Sequence, residues 1–124
     1  MNEKAKSLKM HKTRFANSHG LDHINNYSCC EDILLMCKEA MRNELFGKIV
    51  STQRYKGTFK TFKDTKIICK PVVWTNTNKL LERDSNVVGI KTGITPKAGG
   101  CLATFYKIDD LNYAYIIVLG CTST

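Results

Sequence analysis

Val88-Gly89-Ile90-Lys91-Thr92-Gly93-Ile94-Thr95 is the stretch on which both the fold and the chemistry of this 124-residue chain turn. In an extended strand successive side chains point to opposite faces. Ile90 and Ile94 then share one face, and Gly89, Lys91, Gly93 and Thr95 the other. A lone lysine stands between two bare glycines. Glycine at those positions removes side chains that would block approach, so an extended, anionic peptide could lie against the backbone beside an ammonium and hydroxyls. The same pattern is also compatible with a strand bulge carrying an exposed lysine.

Outward from this strand, assigned to 87–94, two further strands are expected at 100–108 and 113–121. They are separated by Thr95-Pro96-Lys97-Ala98-Gly99 and Asp109-Asp110-Leu111-Asn112. Connections this short make an antiparallel meander. The last strand is apolar on both faces, with Tyr113, Tyr115, Ile117 and Leu119 on one and Ala114, Ile116 and Val118 on the other, and so needs cover on both sides. Upstream, Ser28 with Glu31 three residues on has the form of a capping box. A helix is expected over about 29–43, because Ile33, Leu34, Cys37, Ala40, Met41 and Leu45 recur at three- and four-residue spacing. One such helix cannot cover both faces of a three-stranded sheet, so the fold calls for material these residues do not contain. Residues 1–10 look like the end of a helix, with Met1, Ala5 and Leu8 on one face. Between helix and meander, Tyr55 to Trp74 reads as an antiparallel ribbon, with Gly57 and Asp64 at turns and Pro71 limiting what can pair beyond it. The class is α/β in the α+β sense.

Hydrophobic residues make up 43% of the chain and charged residues 24%, which excludes collagen, coiled coil and wholesale disorder. The net charge of +8 is concentrated: residues 1–14 hold five cations against Glu3, and residues 54–70 hold six against Asp64. In the second stretch aromatics alternate with cations, as in Phe59-Lys60-Thr61-Phe62-Lys63. That pattern suits either a nucleic-acid surface or a lysine-guarded strand edge. Apolar runs such as Tyr113 to Cys121 fall well short of the ~20 residues that cross a bilayer. The amino terminus starts basic but lacks the apolar stretch of a signal peptide.

The six cysteines (Cys29, Cys30, Cys37, Cys69, Cys101, Cys121) contain no C-x-x-C pair and are read mostly as small buried apolar residues. A thiol nucleophile at Cys29 or Cys30, near a helix start, would need a placed histidine that spacing cannot supply. His19 and His23 flank Asp22, but Gly20 between them argues against one helical ligand face, so His19 is taken as a structural residue bonded within its loop. No metal and no cofactor is assigned. Trp74 is expected in the core.

Three strings together carry a resemblance: Trp74-Thr75-Asn76-Thr77-Asn78-Lys79-Leu80-Leu81, then Gly89 to Thr95, then Ala98-Gly99-Gly100-Cys101-Leu102. They are similar to serine-type D-alanyl-D-alanine carboxypeptidases, the low-molecular-mass penicillin-binding proteins marked by S-x-x-K, S-x-N and K-T-G motifs. Residues Met1 to Asp22, ending in His19-Gly20-Leu21-Asp22, resemble the segment that follows that family's S-x-N. The resemblance thus spans nearly the whole chain. Two departures stand out: Lys9 where the family usually carries glycine, and Ser18 where it usually carries proline.

The resemblance implies part of a penicillin-binding, β-lactamase-like domain, an antiparallel sheet covered by helices on both faces, with residues 1–124 as a partial catalytic domain lacking its N-terminal half. It implies removal of the terminal D-alanine from peptidoglycan stem peptides, with Lys91, Thr92 and Gly93 binding the carboxylate of such a peptide or of a β-lactam. No serine here is followed three residues later by lysine or two later by asparagine. The acyl-enzyme mechanism needs an activated serine, so no catalytic residue is assigned and little or no turnover is expected of the chain alone. The family works outside the cytoplasm; these residues assign no compartment. The competing expectation is a non-catalytic basic module that binds nucleic acid or another anionic polymer through residues 54–70.

Overall fold

The computed structural model describes residues 1–63 and 66–122. Its elements run α1 (Asn2–Ser7), α2 (Cys30–Met41), α3 (Glu44–Ser51), β1 (Arg54–Lys63), β2 (Lys66–Thr75), α4 (Leu80–Arg83), β3 (Val87–Thr95), β4 (Gly99–Lys107) and β5 (Tyr113–Cys121). Strands β3, β4 and β5 form one antiparallel sheet in that order, and β1 pairs with β2 in a separate two-stranded ribbon. Both the mixed class and the meander match what the sequence predicts.

α2 packs on β5, and α3 on β3. Cys37, Ile90 and Ala103 form the buried centre, with Ile33, Met41, Phe46, Val50, Phe105, Tyr115 and Ile117 around it. The alternate residues of β5 point away from α2: Ile116 is 46% and Val118 40% exposed. Among the described residues, helices therefore cover one face of the sheet, whereas the sequence calls for cover on both. The same residues leave β3 as a free edge, paired with β4 alone.

The expected helix over 29–43 is α2, and α3 follows as a separate helix. Its start is local chemistry: the Asn43 side chain accepts from the Phe46 backbone N–H at 3.0 Å, capping the first turn. Ser28 does not cap α2. Cys29 holds the cap position, and the Ser28 hydroxyl lies 2.7 Å from that of Thr13. Asp32, buried in the first turn of α2, instead accepts from the Lys12 N–H at 2.8 Å and the Thr13 hydroxyl at 2.7 Å. This ties the segment after α1 to the helix.

α1 ends in a two-bond C-terminal cap, Met10 N–H to Ala5 O and Lys9 N–H to Lys6 O, both 3.0 Å. That cap needs a left-handed residue, ordinarily glycine, and Lys9 supplies it at φ +61°. The first departure from the family pattern thus keeps a glycine geometry with a lysine.

The ribbon corrects three expectations. Gly57 lies inside β1, opposite Val72, and not in a turn; pairing runs past Pro71 to Thr75. In a two-stranded ribbon every second N–H points outward, where a proline removes no ladder bond. Trp74 is 48% exposed. The ribbon has no core for it to enter, and it lies 5.9 Å from the Tyr55 ring and over the bare Cα of Gly57. Asp64 lies outside the described residues. Of the six thiols only Cys37 is buried; Cys30, the first residue of α2, is exposed, and Cys69 and Cys121 are exposed because β2 and the end of β5 have no covering layer.

Candidate functional site

β3 is fixed from beneath by α3. Gly89 sits at φ +111°, and a Cβ there would come within 2.8 Å of Val50 Cγ2. The space beside this glycine is therefore filled by the helix, contrary to the expectation that it opens the strand to a ligand. Gly93 behaves as expected: a Cβ there would meet nothing within 4 Å. Ile90 is buried, while Ile94 is 75% exposed.

The Asn76-Thr77-Asn78 turn builds the neighbouring wall. Asn76 Nδ2 donates to Val50 O at 3.2 Å and Thr52 O at 3.1 Å, and Asn76 Oδ1 accepts from the Asn78 N–H at 2.9 Å. So anchored, the turn brings the Thr77 hydroxyl to 2.8 Å from that of Thr92. Lys91 is exposed, and its ammonium donates to the Thr92 carbonyl. It forms no ion pair with a carboxylate among the described residues. Thr77, Lys91, Thr92 and Gly93 line one open groove of about 660 Å³, whose floor includes Leu102 and Val118.

The far end of β3 is pinned by the 17–27 loop. Asp22 Oδ1 accepts from the Thr95 hydroxyl at 2.5 Å, and that hydroxyl in turn accepts from the Ala98 N–H at 3.0 Å. The loop is closed by Arg14 and Tyr27, which exchange backbone bonds of 2.9 and 3.0 Å. His19 Nδ1 accepts from the Leu21 N–H at 3.2 Å and His23 Nδ1 from the Asn25 N–H at 3.0 Å. Each histidine is engaged locally, as expected of His19. No group of three or more His, Cys, Asp or Glu side chains gathers among the described residues in a way that could hold a metal ion.

The structure thus brings Lys91, Thr92 and Gly93 to one open groove. Sequence reasoning assigned no role to Thr77 or to Asp22 in this arrangement. The spacing between Asn76 and Asn78, two side chains that bend backbone locally, is the signal that marks Thr77 as a presented hydroxyl. Burial pushes the Cys37 thiol up from its usual range, so the buried cysteine is a poor nucleophile.

A family model described as D-alanyl-D-alanine carboxypeptidase matches residues 1–122. A D-alanyl-D-alanine carboxypeptidase of Streptomyces strain K15 is 37% identical over 82% of this chain and 34% of its own length. The carboxypeptidase DacF of Bacillus subtilis is 33% identical over 99% of this chain and 30% of its own. The crystal structure of the Streptomyces K15 DD-transpeptidase superposes with a TM-score of 0.86 at 34% identity, covering 98% of this chain and 45% of that one. The chain spans about a third of the length of the curated relatives it matches. These matches support the carboxypeptidase reading and not the nucleic-acid or anionic-polymer module. With nearly every residue inside the family match, the chain belongs to the D-alanyl-D-alanine carboxypeptidase family.

Proposed function

We propose that residues 1–124 form the carboxylate-recognition wall of a serine D-alanyl-D-alanine carboxypeptidase domain, a partial catalytic domain whose reaction removes the terminal D-alanine from a peptidoglycan stem peptide. One observation carries this: Lys91, without a carboxylate partner among the described residues, lines one groove with the paired Thr77 and Thr92 hydroxyls, on a sheet edge whose Gly93 leaves open space.

In this arrangement the C-terminal carboxylate of an extended peptide accepts from the Lys91 ammonium and the Thr92 hydroxyl, with Thr77 holding Thr92. The peptide backbone adds to the free edge of β3 as a further strand. Charge-assisted bonds of this kind are worth roughly 1.5–3 kcal/mol each. They orient a substrate but break no bond. Acylation needs an activated serine hydroxyl, and residues 1–124 contain neither S-x-x-K nor S-x-N. A β-lactam carboxylate would occupy the same place.

The experiment is an NMR titration of the chain with a diacyl-Lys-D-Ala-D-Ala peptide, with free D-alanine assayed in parallel. Shifts should centre on Lys91, Thr92 and Gly93, weaken at least tenfold in Lys91→Ala, and occur without D-alanine release. Shifts elsewhere, or an unaffected Lys91→Ala, would refute the assignment.

A further inference from the structure

Successive side chains of a strand point to opposite faces, so the aromatics and cations that alternate along β1 do not share a surface. In the half of the ribbon that starts at the Arg54–Thr75 pair, Tyr55, Gly57 and Phe59 lie on one face with Trp74, Val72 and Lys70 as their cross-strand partners. Arg54, Lys56 and Lys60 lie on the other. The first face is therefore aromatic and carries one cation. Tyr55 is 62%, Phe59 55% and Trp74 48% exposed. The Tyr55 and Trp74 rings are 5.9 Å apart with their planes inclined by 31°, nearer parallel than edge-to-face. Gly57 makes this possible. A Cβ there would fall 2.9 Å from Trp74 Cζ3 and 3.0 Å from Tyr55 Cε1, so the bare Cα lets both rings lie against the strand.

This surface adjoins the wall of the groove. Trp74 stands three residues before Thr77, which bounds the distance between their Cα atoms at roughly 11 Å. The connection is held: the Asn76 N–H donates to Gln53 O at 2.8 Å, and the Asn76 side chain donates to Val50 O and Thr52 O.

We propose that the Tyr55, Phe59 and Trp74 face is a docking surface for an uncharged glycan strand of N-acetylated amino sugars, the polymer to which a peptidoglycan stem peptide is attached. The inference rests on the reading of the neighbouring groove as a stem-peptide site. A pyranose ring offers a face of C–H groups that packs on the negative face of an aromatic ring, while the polar edge of Tyr or Trp stays in water. The distribution of charge favours this ligand over a polyanion. Single-stranded nucleic acid is held by stacking rings and cations acting in one groove, and here Arg54, Lys56 and Lys60 stand on the face away from the rings.

Trp74 is the only tryptophan of the chain, so its fluorescence reports from the surface itself. The test titrates the 124-residue chain with an N-acetylglucosamine tetramer, which carries no peptide. Trp74 emission should change saturably. The dissociation constant should rise at least roughly fivefold in Tyr55→Ala and in Phe59→Ala. It should be unchanged in Tyr55→Phe, which keeps the ring, and in Lys91→Ala, because a bare sugar does not use the groove. Circular dichroism checks the fold of each variant. No response to the tetramer, undiminished binding by both alanine variants, or loss of binding in Lys91→Ala would overturn the proposal. So would displacement of the sugar by an oligonucleotide, which would make the face a polyanion site, or emission that follows protein concentration and not sugar, which would make it a self-association surface. The diacyl-Lys-D-Ala-D-Ala peptide is titrated in parallel. Peptide binding without sugar binding overturns this inference alone, whereas sugar binding without peptide binding upholds the docking surface and overturns the reading of the groove.

Discussion

The Thr95 hydroxyl donates to the Asp22 carboxylate at 2.5 Å, joining residues 73 apart in the chain. Through this bond the loop that carries His19 and Gly20 sets the end of the strand that carries Lys91 and Thr92. The link is at the surface, so its contribution to stability is modest. Its larger effect is on the position of the β3 edge.

Asp22→Ala should therefore lower stability by only about 1 kcal/mol, read from the urea midpoint, yet weaken binding of a D-Ala-D-Ala peptide severalfold. Asp22→Asn keeps an acceptor for the Thr95 hydroxyl and should restore most of that binding. An Asp22→Ala protein that binds like the parent would remove Asp22 from the positioning of the strand.

Lys9 occupies the left-handed position of the α1 cap at φ +61°. A non-glycine residue there carries strain of about 1–2 kcal/mol, against about 0.5–1 kcal/mol of extra chain entropy lost by glycine. Lys9→Gly should thus raise stability by up to about 1 kcal/mol, seen as a higher thermal midpoint. A lower midpoint would show that the lysine side chain contributes more than its backbone strain.

Gly89 admits no side chain: it combines φ +111° with Val50 Cγ2 at 2.8 Å from where a Cβ would lie. Gly89→Ala should cost at least ~2 kcal/mol through backbone strain and displacement of α3. Gly93→Ala meets nothing within 4 Å and should leave stability nearly unchanged while hindering peptide binding. The pair of variants separates packing from access on one strand, with unfolding midpoints and peptide titrations as the two readouts.

The turn between β4 and β5 should respond to pH. The Asn112 side chain, followed by the backbone N–H groups of Leu111 and Asn112, holds the Asp109 carboxyl below its usual range. A carboxylate depressed in the folded state stabilises above its unfolded pKa, and that stabilisation is lost as pH falls through the folded value. Asp109→Ala should therefore melt below the parent at pH 7, and the gap should narrow as the pH is taken well below 3.8. A gap independent of pH would assign the turn's stability to neutral contacts.

Much of this architecture is legible in the sequence because its signals are local. Period-two alternation bounded by Thr95-Pro96-Lys97-Ala98-Gly99 and Asp109-Asp110-Leu111-Asn112 marks the three strands to within a residue or so. What escapes is decided by neighbours distant in sequence or by the backbone. Leu45, Phe46 and Ile49 continue the apolar spacing of α2, so the break at Asn43 becomes visible only through its cap on Phe46. The bareness of Gly89 and Gly93 looks equivalent in one dimension, yet Val50 fills one space and nothing fills the other. Trp74 has the composition of a core residue, but its strand belongs to a ribbon with no core beneath it.

We propose that Lys91 and Thr92 recognise a peptide carboxylate on the free edge of β3. The most direct measurement is the ratio of dissociation constants for one diacyl-Lys-D-Ala-D-Ala peptide with a free C-terminal carboxylate and with a C-terminal amide. We predict binding of the carboxylate form near ~1 mM, corresponding to about 4 kcal/mol, at least tenfold tighter than the amide, with that preference abolished in Lys91→Ala. Equal affinity for the two peptides, or a preference that survives Lys91→Ala, would rule out carboxylate recognition by Lys91.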